Sequence, residues 1–72
     1  MPSFPDRLKE LRKSKNVTQK SVADYIGVGE RLYQNYEYGK HKPNYDYIIK
    51  LAEYFNVSTD YLLGLTDCPD RK

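Results

Sequence analysis

Residues 18–39, TQKSVADYIGVGERLYQNYEYG, decide the fold of this 72-residue chain. Thr18 is a residue type favoured at the N-cap of a helix. The residues after it place apolar side chains at helical spacing, at Val22, Ala23 and Ile26. Gly27 tolerates the positive φ with which many helices end. The first half of the stretch therefore predicts a helix over residues 19–26.

The second half predicts another helix, over residues 30–38, which ends at Gly39. Only the turn Gly27-Val28-Gly29 separates the two helices, and such a short turn with glycine is the geometry of a helix-turn-helix. Ala23 is small where the helices approach, and Val28 can fill the angle between them. A simple helical hairpin would show the same features, so the pattern alone leaves both open.

Three further helices flank this pair, since the same apolar period and the same caps recur on both sides. They are predicted at about Asp6–Ser14, Tyr45–Phe55 and Thr59–Leu63. The predicted fold class is therefore all-α, a compact five-helix domain. Its predicted parts are an N-terminal extension, the helical domain and a polar, frayed tail, over residues 1–5, 6–66 and 67–72.

Composition and charge limit the kinds of function that this chain can have. Nine Lys/Arg against five Asp/Glu in residues 1–42 give a balance of +4, whereas residues 43–72 have −2. This polarity fits a polyanionic partner, and it fits a solvated surface about as well. The single cysteine, Cys68, excludes an internal disulfide and favours a reducing cytoplasm. The sequence predicts no metal, no cofactor and no membrane segment.

The motifs together resemble the phage repressor/Cro-type helix-turn-helix family, also called the Xre family, over roughly residues 6–67. The resemblance is carried by RLKELR at 7–12, Thr18-Gln19, Ala23, Gly27-Val28, Glu37-x-Gly39-Lys40, Lys42-Pro43 and VSxDYLL at 57–63. It implies a DNA-binding domain of the lambda-repressor-like type, usually dimeric on palindromic operators. Helices two and three would form the helix-turn-helix.

In this motif the second helix of the pair lies in the major groove. The resemblance therefore implies four base-contacting residues: Glu30, Arg31, Gln34 and Asn35. Arg31 suits guanine, Asn35 or Gln34 suits adenine, and Glu30 suits the amino group of cytosine. The alternative for this set is a merely solvated polar face.

The resemblance also implies four phosphate contacts, at Gln19, Lys40, Lys42 and Asn44, which would set the register of the protein on DNA. Arg12 and Glu37 match positions that form an internal ion pair in the family. We assign this pair a structural role, because a planar guanidinium binds a carboxylate through two parallel hydrogen bonds.

Four residues depart from the family pattern or stand out. Gly29 replaces the usual Ser or Thr at the N-cap of the recognition helix, which costs a few tenths of a kcal/mol. Glu30 either reads cytosine or penalises wrong sites by repelling phosphate. Leu32 either touches a thymine methyl or packs against the sugar backbone. Tyr61, in the last helix, is a candidate for a dimer interface.

Two other function classes compete with DNA binding. An enzyme is disfavoured, because neither His41 nor Cys68 has a plausible base and orienting partner. An antitoxin or protein-interaction module would use the same fold, and the salt dependence of binding would separate it from a DNA-binding domain. The prediction is a cytoplasmic, sequence-specific regulator of transcription from a bacterium or its phage, most often a repressor. It would act as a dimer on two half-sites of double-stranded DNA.

Overall fold

A computed structural model describes residues 3–70, and within them the predicted all-α class with five helices is confirmed. The helices are α1 (Phe4–Lys15), α2 (Gln19–Ile26), α3 (Glu30–Tyr38), α4 (Tyr45–Phe55) and α5 (Thr59–Leu62). Residues 1–2 of the predicted N-terminal extension and residues 71–72 of the predicted tail lie outside the described residues.

The predicted start of α1 was wrong by two residues, because Asp6 lies already within the helix. Ser3 is the N-cap and Pro5 stands in the first turn. Proline is favoured there, since its fixed φ is already helical and its missing N–H would have no partner in the helix. The last helix ends at Leu62, one residue before the predicted Leu63.

Helix ends are set by caps of the predicted kind. The side chains of Thr18, Asn44 and Ser58 each accept a hydrogen bond of 3.0 Å from a backbone N–H three residues on. Asn16 and Asn56 stop α1 and α4 in the left-handed conformation, each with a φ of 57°. Gly39 stops α3 with a φ of 79°.

The core lies between the helices: α1 and α2 pack on α3, α4 packs on α1 and α2, and α5 packs on α1 and α4. Twelve hydrophobic side chains are buried in it: Leu8, Leu11, Val22, Ala23, Ile26, Tyr33, Tyr36, Leu51, Ala52, Phe55, Val57 and Leu62. Burial of this apolar surface is the main force that holds the short helices together. Among residues 3–70, no helix is long and apolar enough to cross a membrane.

The described part of the C-terminal segment contacts the domain, whereas the sequence predicted a frayed tail. The backbone N–H of Ser58 donates to the carbonyl of Pro69 at 3.1 Å. The Asp67 carboxylate lies 3.3 Å from the guanidinium of Arg7. These contacts join residues 67–69 to the start of α5 and to α1.

Candidate nucleic-acid interface

The turn between α2 and α3 is built by glycine and by backbone hydrogen bonds. Gly27 adopts a φ of 86°, a backbone conformation that residues with a Cβ rarely adopt. Its N–H and that of Val28 both donate to the carbonyl of Ala23, at 2.9 and 3.0 Å. Gly29 is the N-cap of α3 and provides no side-chain hydrogen bond. The chain thus turns within three residues, and α3 packs against α2.

Helix α3 has one buried and one exposed face. Tyr33, Tyr36 and Glu37 are buried against the core. On the other side, Glu30 and Arg31 are exposed, and Gln34 and Asn35 are half-buried. The four residues predicted to contact bases therefore share the side of α3 that faces away from the core.

The predicted structural pair, Arg12 and Glu37, forms an ion pair in the structure that joins α1 to α3. The Arg12 Nε atom lies 2.6 Å from Glu37 Oε2, and Nη2 lies 3.3 Å from Oε1. The Glu37 side chain is 0% exposed and that of Arg12 17%. Arg12 also donates to the carbonyl of Val17 at 3.2 Å. A bidentate, mostly buried pair of this kind holds the two helices in one relative position.

The same carboxylate begins a line of side-chain amides that reaches the exposed side of α3. Gln19 Nε2 donates to Glu37 Oε1 at 3.2 Å. Gln34 Nε2 in turn donates to Gln19 Oε1, also at 3.2 Å. Sequence reasoning missed this line, because it expected the Gln19 side chain to contact phosphate. In the structure, both ends of the Gln19 amide already have partners within the protein.

The electrostatics of Glu37 follow from these contacts. Burial by itself raises the pKa of Glu37, since a charge loses hydration in the interior. The hydrogen bonds from Arg12 and Gln19, together with the nearby Tyr33 hydroxyl, favour the charged form more strongly and hold the pKa of Glu37 below its ordinary value of 4.5. The hydrogen bond to Glu37 likewise raises the pKa of Arg12. The pair is therefore ionised throughout the neutral range.

Tyr33 is the other polar group at this position. Its hydroxyl is buried beside the Glu37 carboxylate, and no residue from 3 to 70 meets it in full hydrogen-bond geometry. Burial raises the pKa of Tyr33 far above its ordinary value of 10.0, and the neighbouring Glu37 adds to the shift. Tyr33 thus stays neutral on the buried side of α3.

The remaining predicted phosphate contacts lie in and after the loop that follows α3. Lys40 and Lys42 are exposed, as is His41 between them. Asn44 is also exposed, but its Oδ1 accepts from the N–H of Tyr47 and caps α4. Only the amide nitrogen of Asn44 is therefore left to donate to a ligand. The two lysines and the start of α4 form one basic, solvated edge next to α3.

Two exposed tyrosines flank this loop and were missed by sequence reasoning. Tyr38, the last residue of α3, is 57% exposed, and Tyr45, the first of α4, is 78% exposed. The signal for Tyr38 was its spacing, because it follows Arg31 by seven residues and Asn35 by three, which places all three on one helical face. Each ring carries a hydroxyl that can donate to an oxygen ligand.

At α5, the structure gives Tyr61 an internal partner. The guanidinium carbon of Arg7 lies 3.8 Å from the centre of the Tyr61 ring, and Nη1 donates to the Tyr61 carbonyl at 3.3 Å. Arg7 is buried, with 3% exposed. Its spacing from Phe4 and Leu11 places it on the apolar stripe of α1, a signal that sequence reasoning did not use. The Arg7 guanidinium therefore already covers one face of Tyr61, the residue predicted to lie in a dimer interface.

No three His, Cys, Asp or Glu side chains in residues 3–70 lie together in a way that could hold a metal ion. Cys68 is an exposed free thiol in the C-terminal segment. The polar groups gathered around α3 are a guanidinium, side-chain amides, a carboxylate and nearby ammonium groups.

A family model described as helix-turn-helix matches residues 8–62. YobD of Bacillus subtilis, an uncharacterized HTH-type transcriptional regulator, is 44% identical over 69 residues, which are 96% of this chain and 62% of that protein. This chain thus spans less than two thirds of the length of that relative.

Among solved structures, a transcriptional regulator from Listeria innocua superposes with a TM-score of 0.83 at 32% identity, covering 86% of this chain and 58% of that one. The P22 c2 repressor protein, solved in complex with a synthetic operator, shares the fold, with a TM-score of 0.82 at 24% identity over 88% of this chain and 96% of that one. The chain therefore belongs to the helix-turn-helix family, in its phage repressor/Cro-type (Xre) branch.

Proposed function

We propose that this protein binds double-stranded DNA in a sequence-specific way and regulates transcription. The observation that carries the proposal is the exposed side of α3, on which Arg31, Gln34 and Asn35 stand together while the opposite side is fixed in the core. A helix fits the major groove, and these side chains carry the donors and acceptors that base edges there recognise. Its relatives include proteins named as transcriptional regulators.

The base contacts divide by chemistry. Arg31 grips guanine through O6 and N7, and an amide of Gln34 or Asn35 pairs with adenine. Glu30 accepts from the amino group of cytosine, or else repels phosphate at wrong sites. It is also the first residue of α3, where its carboxylate favours the helix dipole.

The phosphate contacts position the domain without reading sequence. Lys40 and Lys42 provide positive charge beside α3, and Asn44 offers its amide nitrogen at the start of α4. For Gln19, the backbone N–H at the start of α2 is the group left to meet a phosphate, with the positive end of that helix behind it. The charge balance of +4 in residues 1–42 supports a polyanionic partner.

We propose that the protein acts as a repressor and as a homodimer on a palindromic operator. Occupation of a promoter is enough to block transcription, whereas activation needs a further contact with the polymerase. The dimer would pack through the α5 region. There, Leu63 and Leu65 expose apolar surface near Tyr61, whose ring is half-buried. Two symmetric copies would place their recognition helices about one helical turn of DNA apart.

We assign the protein no catalytic role and place it in the cytoplasm, where its DNA would lie. Its single histidine, His41, is exposed in the basic loop, and Cys68 is exposed in the C-terminal segment.

Two alanine variants on a selected operator test these assignments. Arg31→Ala should weaken the best site by about 1–3 kcal/mol and relax the preference at one base pair. Lys42→Ala should weaken all sequences alike and reduce the slope of log affinity against log salt by about 1. An Arg31→Ala variant with the wild-type sequence preference would show that α3 is not the reading helix.

Salt dependence separates this function from the protein-interaction alternative. A domain that neutralises several phosphates loses affinity steeply as salt rises, because bound counterions are released on binding. Such losses are large between about 50 and 200 mM salt. If the affinity for random DNA barely changed over this range, the basic edge would not be a phosphate-binding surface.

A further inference from the structure

The chain contains only two glutamines, Gln19 and Gln34, and they are hydrogen-bonded to each other. One stands at the start of α2 and the other on α3, fifteen residues later. Their amides continue the Arg12–Glu37 ion pair toward the exposed side of α3. This arrangement gives a role to the side chain of Gln19, whereas the proposed function uses only the backbone N–H of that residue.

The direction of each amide is dictated by the buried carboxylate. An ionised carboxylate accepts hydrogen bonds and cannot donate them. Gln19 must therefore turn its NH₂ group toward Glu37, and its carbonyl oxygen is left to point away. That oxygen can only accept, so Gln34 must present its own NH₂ group to it. The charge of Glu37 thus sets the orientation of an amide two side chains away.

The consequence is seen at Gln34, where the line of side-chain amides ends on the exposed side of α3. Gln34 has one N–H engaged by Gln19, which leaves its second N–H and its carbonyl oxygen Oε1. Within residues 3–70, no side chain donates to this oxygen. Gln34 therefore offers one donor and one acceptor side by side, in a fixed order, to whatever approaches α3.

On the basis of the proposed function, we propose that Gln19 is a positioning residue that commits Gln34 to read adenine. In the major groove, adenine presents an acceptor, N7, and a donor, the N6 amino group, which match the free N–H and Oε1 of Gln34. Guanine presents two acceptors, N7 and O6. A freely rotating glutamine can turn both hydrogens of its NH₂ group toward guanine, but Gln34 has one of them occupied.

The test uses the full chain and an operator obtained by selection from random DNA. The base pair read by Gln34 is the one at which Gln34→Ala loses its preference. Affinities are then compared for adenine and guanine at that pair. The wild-type protein should favour adenine by on the order of 5- to 100-fold, as one bidentate contact provides.

The decisive variant is Gln19→Met, which keeps the length of the side chain and removes both hydrogen bonds. It should lower the adenine-to-guanine ratio toward one. In a Gln34→Ala background the same change should leave the ratio unaltered. Lys20→Met is the matched control on α2, since Lys20 is exposed and pairs with Asp24. This control should leave the ratio at its wild-type value.

The ratio distinguishes the proposal from a structural role or a phosphate contact. A loss of folded protein, or of a phosphate contact by Gln19, weakens adenine and guanine sites equally and leaves the ratio unchanged, which would overturn the proposal while DNA binding stands. Retention of every base preference by Gln34→Ala would overturn it as well. If the selection enriched no sequence at all, the proposed function on which this inference rests would be wrong instead.

A second measurement needs no variant. In the free wild-type protein, the side-chain amide protons of both glutamines should exchange with solvent more slowly than those of an unstructured glutamine, because each NH₂ group is hydrogen-bonded. NMR can follow these few signals separately. Exchange at the unprotected rate for both residues would show that the line of amides does not persist in solution.

Discussion

Arg12→Met is the substitution that tests most sharply how the recognition helix is held. It leaves the Glu37 carboxylate, which is 0% exposed, without its bidentate partner. Breaking a buried pair by removing one partner costs about 3–5 kcal/mol. A chain of this length has a total stability of roughly 4–11 kcal/mol, at 0.05–0.15 kcal/mol per residue. The variant should therefore lose a large part of its stability.

Thermal unfolding followed by circular dichroism measures this loss. For a domain of this size, each kcal/mol lowers the Tm by about 4–8 °C, so Arg12→Met should unfold at least about 12 °C below the wild type at pH 7. The control is Lys20→Met, which breaks the exposed pair with Asp24. An exposed pair at this spacing contributes only about 0.3–0.5 kcal/mol. Similar losses for the two variants would refute the reasoning.

The pH dependence of the stability tests the same ion pair independently. In the wild type the pKa of Glu37 is lowered, so its contribution is complete above the ordinary value of 4.5 and is lost as the pH falls through the lowered pKa. Without Arg12, burial of Glu37 raises that pKa instead, and protonation relieves a buried charge. The stability of Arg12→Met relative to the wild type should therefore recover as the pH falls from 7 to 5. A constant difference over this range would contradict the assignment.

Three further predictions concern residues around the core. Tyr33→Phe removes a buried hydroxyl and should change the stability at pH 7 by less than about 1 kcal/mol. Because the raised pKa of Tyr33 makes the wild type lose stability as the pH rises above 10, the Tm of Tyr33→Phe should fall less steeply there. Arg7→Met removes the stacking on Tyr61 and one of the two hydrogen bonds that the Tyr61 carbonyl accepts, which should cost about 1–3 kcal/mol in urea unfolding. Asn56→Ala should cost about 1–2 kcal/mol and Asn56→Gly less, since Asn56 has a φ of 57°.

Local rules explain why so much of the fold was predictable. The bounds of α2, α3 and α4 follow from the residue types at their caps and from an apolar period within each helix. The start of α1 was missed because Pro5 was not used as a signal for the first turn. Asn16 and Asn56 were predictable as helix stops, because few residues with a Cβ tolerate the left-handed conformation.

The exposed side of α3 was predictable from the sequence, whereas the contacts of its side chains were not. The exposed face of α3 follows from helical period alone, which places Arg31 and Asn35 opposite Tyr33. The link from Gln34 to Gln19 depends on how closely α2 and α3 approach, and no local pattern encodes that distance. The spacing of Arg7 on α1 indicated its burial, but its partner could not be predicted, since the Tyr61 ring comes from the far end of the chain.

In vitro selection of bound sequences from random double-stranded DNA tests the central claim most directly. The full chain should enrich a short consensus with two symmetric half-sites centred about one helical turn apart. This consensus should carry the guanine and adenine positions assigned to α3. A selected pool that remains as random as the starting pool would contradict the account, because a surface built from Arg31, Gln34 and Asn35 would then read no sequence.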